Sequence, residues 1–224
     1  MEPHLPHVRY LPWVGPAYGD PSPLFDVPVL VVGESHYWYE GCTDDEHLTK
    51  GVFAERAFGA PKDHREFDKD IARAVLGIAE PDSSAHNGVW QAVAFYNYIR
   101  ELLMDSSKRP TKKMFNEPEA WLAFREVLAA LQPSPRCVLV FAKQVWDRGF
   151  PRFDRQDDDA SLFVGCGPDE IGWYRTGNSG FALAVGLYHP SAWKRFGKGY
   201  QHWHSIIKRA LDYAYLRLDP RDRC

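Results

Sequence analysis

The sequence predicts an α/β domain in which helices cover both faces of a central parallel sheet. Short, continuous apolar runs are typical of strands buried on both sides, and VLVV at 29–32 is the first of them. Amphipathic segments with helical spacing lie between these runs. Because strands and helices alternate along the chain, we expect the strands to be parallel. The length of 224 residues suits a single domain spanning 1–224.

The first half of the chain begins with an arm rich in Pro and Gly, residues 1–26, which is predicted to be irregular. The strand that follows ends in Gly33, and the loop after a strand's carboxyl end is where ligands bind in open α/β sheets. Apolar residues at helical spacing predict a helix over 66–79. The apolar segment VWQAVAFYNYI is either a strand near 93–98 or a helix, because periodicity does not decide between them.

In the second half, a basic loop broken by Pro110 occupies residues 106–115. An amphipathic helix over 121–131 is predicted to stop before Pro133, because the residue preceding a proline disfavours helical geometry. The remaining elements are buried strands at 136–143 and 181–192, a short helix or turn at 144–150, and a final helix at 203–211.

Composition limits the partners and the compartment. The net charge is −3, so binding to nucleic acid requires a local basic patch rather than overall attraction. Aromatic residues make up 14%, which suits both an aromatic core and a protein that stacks on bases. The four cysteines are scattered without a CxxC pair, which argues against a zinc ribbon or a disulfide framework. The start MEPHLPHVRY lacks a signal-peptide pattern and no segment is apolar enough to span a membrane, so a cytoplasmic protein is expected.

Three motifs, in family order, resemble the uracil-DNA glycosylase superfamily. VLVVGESHY at 29–37 is similar to the strand and Gly-led motif written GQDPY, GINPG or GEAPG in that family. AFYNYI at 94–99 resembles the segment whose Asn bonds the flipped base, HPSAWKRF at 189–196 resembles the HPS motif, and VLVFAKQVW at 138–146 fits the strand before it. The resemblance covers most of the chain. It implies a three-layer αβα sandwich with a short parallel sheet, a base pocket, and neither a metal nor an organic cofactor.

The resemblance also implies roles for particular side chains. His189 would donate a hydrogen bond to a base carbonyl, and Asn97 would pair with the Watson–Crick edge of the base, uracil-like or cytosine-like according to its amide orientation. Gly33, Tyr37 and Ser191 would complete the base-binding wall. The structural alternatives are a histidine satisfied in a turn and an amide that ties down a neighbouring strand.

The first motif departs from the family where GQDPY supplies a catalytic Asp. Ser35 stands at that position, and His36 stands where the family has Pro. We expect Glu34, His36 or both to take over, Glu34 by stabilising the sugar cation and His36 by positioning or deprotonating water. Ser35 itself either shapes the loop or joins the catalytic set. Some GEAPG-type relatives bind an iron–sulfur cluster, but this chain lacks the closely spaced cysteines, so no cluster is expected.

Basic residues predict a path for the DNA backbone, although such runs are more often solvated surface. The path comprises Lys108, Arg109, Lys112 and Lys113 in the basic loop, Lys143 after a strand, and Lys194, Arg195 and Lys198 after the HPS segment.

These features together predict a metal-independent, monomeric DNA glycosylase that acts on duplex or single-stranded DNA. Its substrate would be a damaged or modified base, uracil-like or a modified pyrimidine, in repair or in defence against viral DNA. A non-catalytic nucleic-acid-binding protein of the same fold is the first alternative. A hydrolase using Ser35 and His189 is the second, although GESHY lacks the G-x-S-x-G elbow.

Overall fold

A computed structural model describes residues 5–20, 24–53, 66–105, 108–150, 171–176 and 180–216. The strands are β1 (Trp13–Val14), β2 (Val29–Gly33), β3 (His36–Tyr37), β4 (Val93–Asn97), β5 (Leu102–Leu103), β6 (Cys137–Val140), β7 (Ile171–Thr176) and β8 (Gly180–Gly186). The helices are α1 (Leu48–Val52), α2 (Glu66–Leu76), α3 (Ser83–Ala92), α4 (Lys112–Phe115), α5 (Pro118–Ala130), α6 (Lys143–Arg148) and α7 (Tyr200–Leu216).

A six-stranded sheet runs through the molecule in the order β1-β4-β2-β6-β8-β7. Its four inner strands are parallel, and along the chain they are the second, first, third and fourth of that set. The edge strands β1 and β7 are antiparallel to their neighbours, as is common at the edges of otherwise parallel sheets. The predicted α/β class with a central sheet is therefore confirmed, although the sheet is mostly parallel rather than parallel throughout.

The pleat divides the sheet residues between two buried faces. Val29 and Val31 pack with helices α1, α2, α3 and α7, whereas Leu30 and Val32 pack with α4, α5 and α6. Successive side chains alternate because a strand has a period of two residues. We name these the α7 face and the α5 face. Helices on both faces are compatible with an αβα sandwich.

Two helices show how local chemistry sets their limits. The predicted helix over 66–79 ends earlier, at Leu76, because Gly77 adopts a left-handed φ of 71° that terminates a helix. Helix α5 begins with Pro118 in its first turn, where the missing N–H costs nothing, and ends before Pro133 as predicted.

The ambiguous segment VWQAVAFYNYI begins in a helix and continues as a strand. Helix α3 begins after Asp82, whose side chain accepts a hydrogen bond from the N–H of Ala85 at 2.8 Å, and it ends at Ala92. Strand β4 follows without a loop.

Three predictions about irregular or extended segments were wrong in part. The arm 1–26, of which 1–4 and 21–23 lie outside the described residues, contributes strand β1 and buries Tyr10, Tyr18 and Phe25. The basic loop contains the short helix α4. The strand predicted to reach residue 192 ends at Gly186 and is followed by a 3-10 turn at Pro190–Ala192.

Cys42 and Cys137 are free thiols, whereas Cys166 and Cys224 lie outside the described residues. In the part of the chain that the structure describes, no helix has the length and apolar character needed to cross a bilayer.

Candidate active site

A cavity of about 210 Å³ lies on the α7 face, at the carboxyl ends of β2, β4 and β8. Five residues singled out from the sequence, contributed by three separate segments, line it: Glu34, Ser35, Tyr37, Asn97 and His189. The rest of the lining consists of Val52, Phe53, Phe67, Asp68 and Phe95. The structure therefore brings residues of the three motifs together around one cavity. Ligands of open α/β sheets bind at this edge, where the carboxyl ends of the strands meet.

The pleat explains why Asn97 reaches this cavity. Val93 and Phe95 belong to the core of the α7 face, and Asn97 is the next residue of β4 with the same parity. It is also the last residue of the strand and pairs in register with Gly33 of β2. The apolar alternation therefore ends in an amide at the sheet edge.

Gly33 is needed because Asn97 lies against the backbone of β2. A Cβ at this position would lie 2.2 Å from Asn97 Oδ1 and 2.9 Å from the ring of Phe95. Any side chain here would displace the amide. Gly33 does not itself line the cavity, so its contribution to the predicted base-binding wall is to admit Asn97.

His189 is held as a neutral hydrogen-bond donor. Its Nδ1 accepts hydrogen bonds from the N–H of Ser191 at 3.2 Å and from the Ser191 hydroxyl at 2.8 Å, so the ring proton is on Nε2. Burial, assisted by the positive charge of Arg109, lowers the pKa of His189 to about 4. Phe67 stacks on the ring at 5.0 Å with 26° between the planes. Ser191, predicted to bind the base, is exposed, lies outside the cavity lining and bonds to His189.

His36 lies behind the cavity wall rather than in it. It is 4% exposed, and its Nδ1 lies 3.2 Å from Asn97 Nδ2. Its Nε2 lies 3.0 Å from the hydroxyl of Thr49. The structure therefore separates the two residues expected to share one role, because Glu34 lines the cavity whereas His36 lies against Asn97.

Two carboxylates line the cavity, and the sequence reasoning found only one. Burial raises the pKa of Glu34, and the charge of Arg109 partly opposes this effect. Asp68, in the first turn of α2, is 5% exposed. Its signal was present in the sequence, since Asp68 lies three and seven residues before Ile71 and Val75 on the buried face of the helix. A carboxylate at an apolar helix position is a candidate site residue.

Three phenylalanines give the cavity aromatic walls. The ring centroid of Phe95 lies 4.8 Å from that of Phe53 and 6.3 Å from that of Phe67. Phe67 lies within the helix predicted over 66–79, and the sequence made no prediction for Phe53. Flat apolar walls suit a planar ring as the occupant.

The chain matches no known protein-family model and no curated protein. The chemistry of the cavity must therefore be judged from its own residues.

Most of the predicted DNA path is exposed. The positive charge of Arg109 lowers the pKa values of both Glu34 and His189, so the basic loop passes near the cavity. Lys108, Lys112, Lys113, Lys194, Arg195 and Lys198 are also exposed, although Lys108 pairs with Asp105 at 3.7 Å. Lys143 differs, because its side chain is only 18% exposed and forms an ion pair with Asp147 within α6.

Within the described ranges, no group of three or more His, Cys, Asp or Glu side chains is placed to hold a metal ion.

Proposed function

We propose that the protein is a DNA glycosylase that takes one base into the cavity and hydrolyses its N-glycosidic bond. The observation that carries the proposal is the meeting of Asn97 and the Nε2–H of neutral His189 in one aromatic-walled cavity. An amide reads donors and acceptors on a base edge. A fixed N–H beside it stabilises negative charge on a departing base.

The two carboxylates supply the other half of this chemistry. Cleavage of a glycosidic bond builds positive charge on the sugar while negative charge develops on the base. An ionised Glu34 or Asp68 would stabilise that cation or orient the attacking water, and both line the cavity. Ser35 occupies the position of the family's Asp, and its buried hydroxyl makes no hydrogen bond with the protein groups that the structure describes. It is therefore available to bond a ligand.

The size of the cavity favours a single base. About 210 Å³ is less than the 300–1,000 Å³ typical of pockets for drug-sized ligands. Enzymes that act on a base within DNA turn it out of the stack and hold it between aromatic or apolar side chains. Phe53, Phe67 and Phe95 would provide those surfaces.

The surface near the cavity suits DNA. The exposed cations of the basic loop and of the segment after His189 would contact phosphates. Phe196 lies between Arg195 and Lys198 in sequence, is 46% exposed, and packs on Tyr188 with 4.5 Å between ring centroids. An exposed apolar ring beside these cations would be able to insert between base steps as a wedge.

The geometry disfavours the alternative of a serine hydrolase. A nucleophilic serine needs a histidine nitrogen that accepts its proton. The Nδ1 of His189 is occupied by Ser191, and its Nε2 carries the ring proton. The hydroxyl of Ser35 makes no hydrogen bond to His189.

An excision screen tests the proposal. Protein prepared in a host that lacks its own uracil-DNA glycosylase is incubated with duplex and single-stranded oligonucleotides carrying uracil or modified pyrimidines, and abasic sites are then cleaved with alkali. We expect release of at least one base, lost in Asn97→Ala. If no substrate is cut but modified DNA is bound, the protein is a non-catalytic binder. If DNA is neither cut nor bound, the proposal is wrong.

A further inference from the structure

We infer that His36, held by Thr49, fixes the amide orientation of Asn97 and thereby determines which base edge the cavity accepts. This inference rests on the proposed glycosylase function and adds a specificity device to it. Both supporting residues lie outside the cavity lining. They act through Asn97 and would not touch the base.

The observation behind it is a hydrogen-bonded chain of three buried side chains from three elements. Asn97 Nδ2 in β4 lies 3.2 Å from Nδ1 of His36 in β3, and Nε2 of His36 lies 3.0 Å from the hydroxyl of Thr49 in α1. Thr49, His36 and Asn97 are 0%, 4% and 9% exposed. The ring of Tyr10 packs edge-on against His36 at 5.0 Å between centroids. These three hydrogen-bonded side chains are therefore shielded from water and sterically confined.

The direction of each hydrogen bond in the chain depends on the others. When Asn97 donates from Nδ2, Nδ1 of His36 must accept, so its proton is on Nε2 and is donated to Thr49. The opposite arrangement requires Nδ1–H to donate to Asn97 Oδ1 and the hydroxyl to donate to Nε2. A reversed amide alone would set oxygen against the unprotonated Nδ1. The amide consequently cannot turn over without a change of tautomer and a reoriented hydroxyl.

The orientation of the amide matters because its donor and its acceptor must face an acceptor and a donor on the base edge, and base edges differ in the order of these groups. A uracil-type edge offers a donor at N3 and an acceptor at position 4, whereas a cytosine-type edge offers the reverse pattern. One fixed amide pairs with only one of these patterns, and the other leaves buried polar groups unpaired, which is a strong source of rejection. In the observed arrangement Asn97 Oδ1 lies over Gly33, while Nδ2 faces His36. Loosening the chain would let the amide adapt to either edge.

Substitutions at Thr49 separate this role from simple packing. Thr49→Val keeps the shape of the side chain but removes the hydroxyl, and Thr49→Ser keeps the hydroxyl. Single-turnover excision rates are measured on matched duplexes that carry a uracil-type or a cytosine-type base. We expect Thr49→Val to reduce the ratio of the two rates by about tenfold, the value of one hydrogen bond. We expect Thr49→Ser to retain the wild-type ratio. Equal ratios in all three proteins would overturn the inference.

A second measurement does not depend on catalysis. Long-range ¹H–¹⁵N NMR correlations of the His36 ring identify which nitrogen carries the proton. We expect an Nε2–H tautomer in the wild type and in Thr49→Ser, and a changed tautomer population in Thr49→Val. A wild-type ring protonated on Nδ1 would contradict the inferred orientation even if Thr49→Val did not fold. Absence of base release in the screen would reject the glycosylase proposal but leave the ring measurement unaffected.

Discussion

The same strands form both faces of the sheet, but the side chains that pack at the carboxyl edge differ between the two faces. On the α5 face, aromatic rings fill the space: the ring centroid of Phe150 lies 5.4 Å from that of Trp146 and 5.7 Å from that of Tyr98, which directly follows β4. On the α7 face the apolar packing stops at Phe95, and a polar cavity follows. The difference indicates that the α5 face mainly contributes stability, whereas the edge of the α7 face leaves space that a ligand could occupy.

The largest expected effect tests the α5 face. Phe124 is fully buried and contacts the rings of Tyr98, Trp121 and Phe150. Phe124→Ala should lower the free energy of unfolding by about 3–5 kcal/mol, because it removes apolar burial and leaves a cavity. Denaturant unfolding measures this loss. The excision rate per folded molecule should not change.

Leu122→Ala is the matched control for that variant, since Leu122 lies on the same helix and is 41% exposed. It should alter stability by no more than about 0.5 kcal/mol. A comparable loss in both variants would show that the buried ring cluster around Phe124 adds no more stability than an exposed position of the same helix.

The second effect should affect catalysis without affecting the fold. His189→Ala removes a preorganised donor, which typically costs about 2.7–4 kcal/mol of transition-state stabilisation. Single-turnover kinetics should therefore slow by about 10²–10³, while DNA affinity stays near that of the wild type. His47→Ala, at an exposed histidine outside the cavity lining, serves as control. Unchanged rates in folded His189→Ala would remove His189 from the mechanism.

The lowered pKa of His189 leads us to expect that stability depends on pH. The pKa of His189 in the folded protein is about 4, below its ordinary value of 6.5. As the pH falls from 6.5, the unfolded chain takes up the proton first, so stability present above pH 6.5 is lost on the way to about pH 4. His189→Asn should lose less stability over this range in thermal melts. Parallel pH curves for the two proteins would contradict the neutral, buried state of the ring.

The sequence predicted the parts of this molecule that follow from short periodic patterns. The buried run before Gly33 and the helix ending before Pro133 could be read directly, because burial and proline geometry act locally. The edge strand β7 could not, because its pairing with β8 is set by the sheet as a whole. The helix-to-strand change at Val93 was missed for a related reason, since both conformations bury the same apolar residues.

For the site, the sequence located the motifs but not the direction of their side chains. His36 and Glu34 are two residues apart, yet one lies behind Asn97 and the other lines the cavity. Asp68 and Phe53 enter the site from elements distant in sequence from every motif. Such convergence depends on tertiary packing, which a motif does not encode.

A smaller effect should show that burying Glu34 at the edge of the cavity lowers the stability of the fold. Burial raises the pKa of Glu34, so its stabilising contribution is present below its unfolded pKa and is lost as the pH rises through the folded pKa. Glu34→Gln keeps the volume and removes this loss. The variant should gain stability over the wild type as the pH rises from about 4 to 8, while its excision rate falls. Glu40→Gln, exposed in the same loop, is the control.

Thermal melts and single-turnover rates of these variants decide the role of Glu34. A slower but more stable Glu34→Gln would identify Glu34 as the charge that acts beside the sugar. Full activity in this variant would shift that role to Asp68, and Asp68→Asn would then be the variant to measure.

The smallest effect concerns the surface beside the cavity. Lys112 and Lys113 are exposed on α4, in the loop that also carries Arg109. Reversing both charges should weaken DNA binding irrespective of sequence, because each lost phosphate contact flattens the log–log salt dependence by about 0.9 for duplex DNA. Arg125→Glu, an exposed cation on α5, is the control and should leave the slope unchanged.

Binding titrations at several salt concentrations compare the slopes of the two variants. If both reversals change the slope equally, the effect reflects net charge; if neither does, the DNA does not pass over this loop.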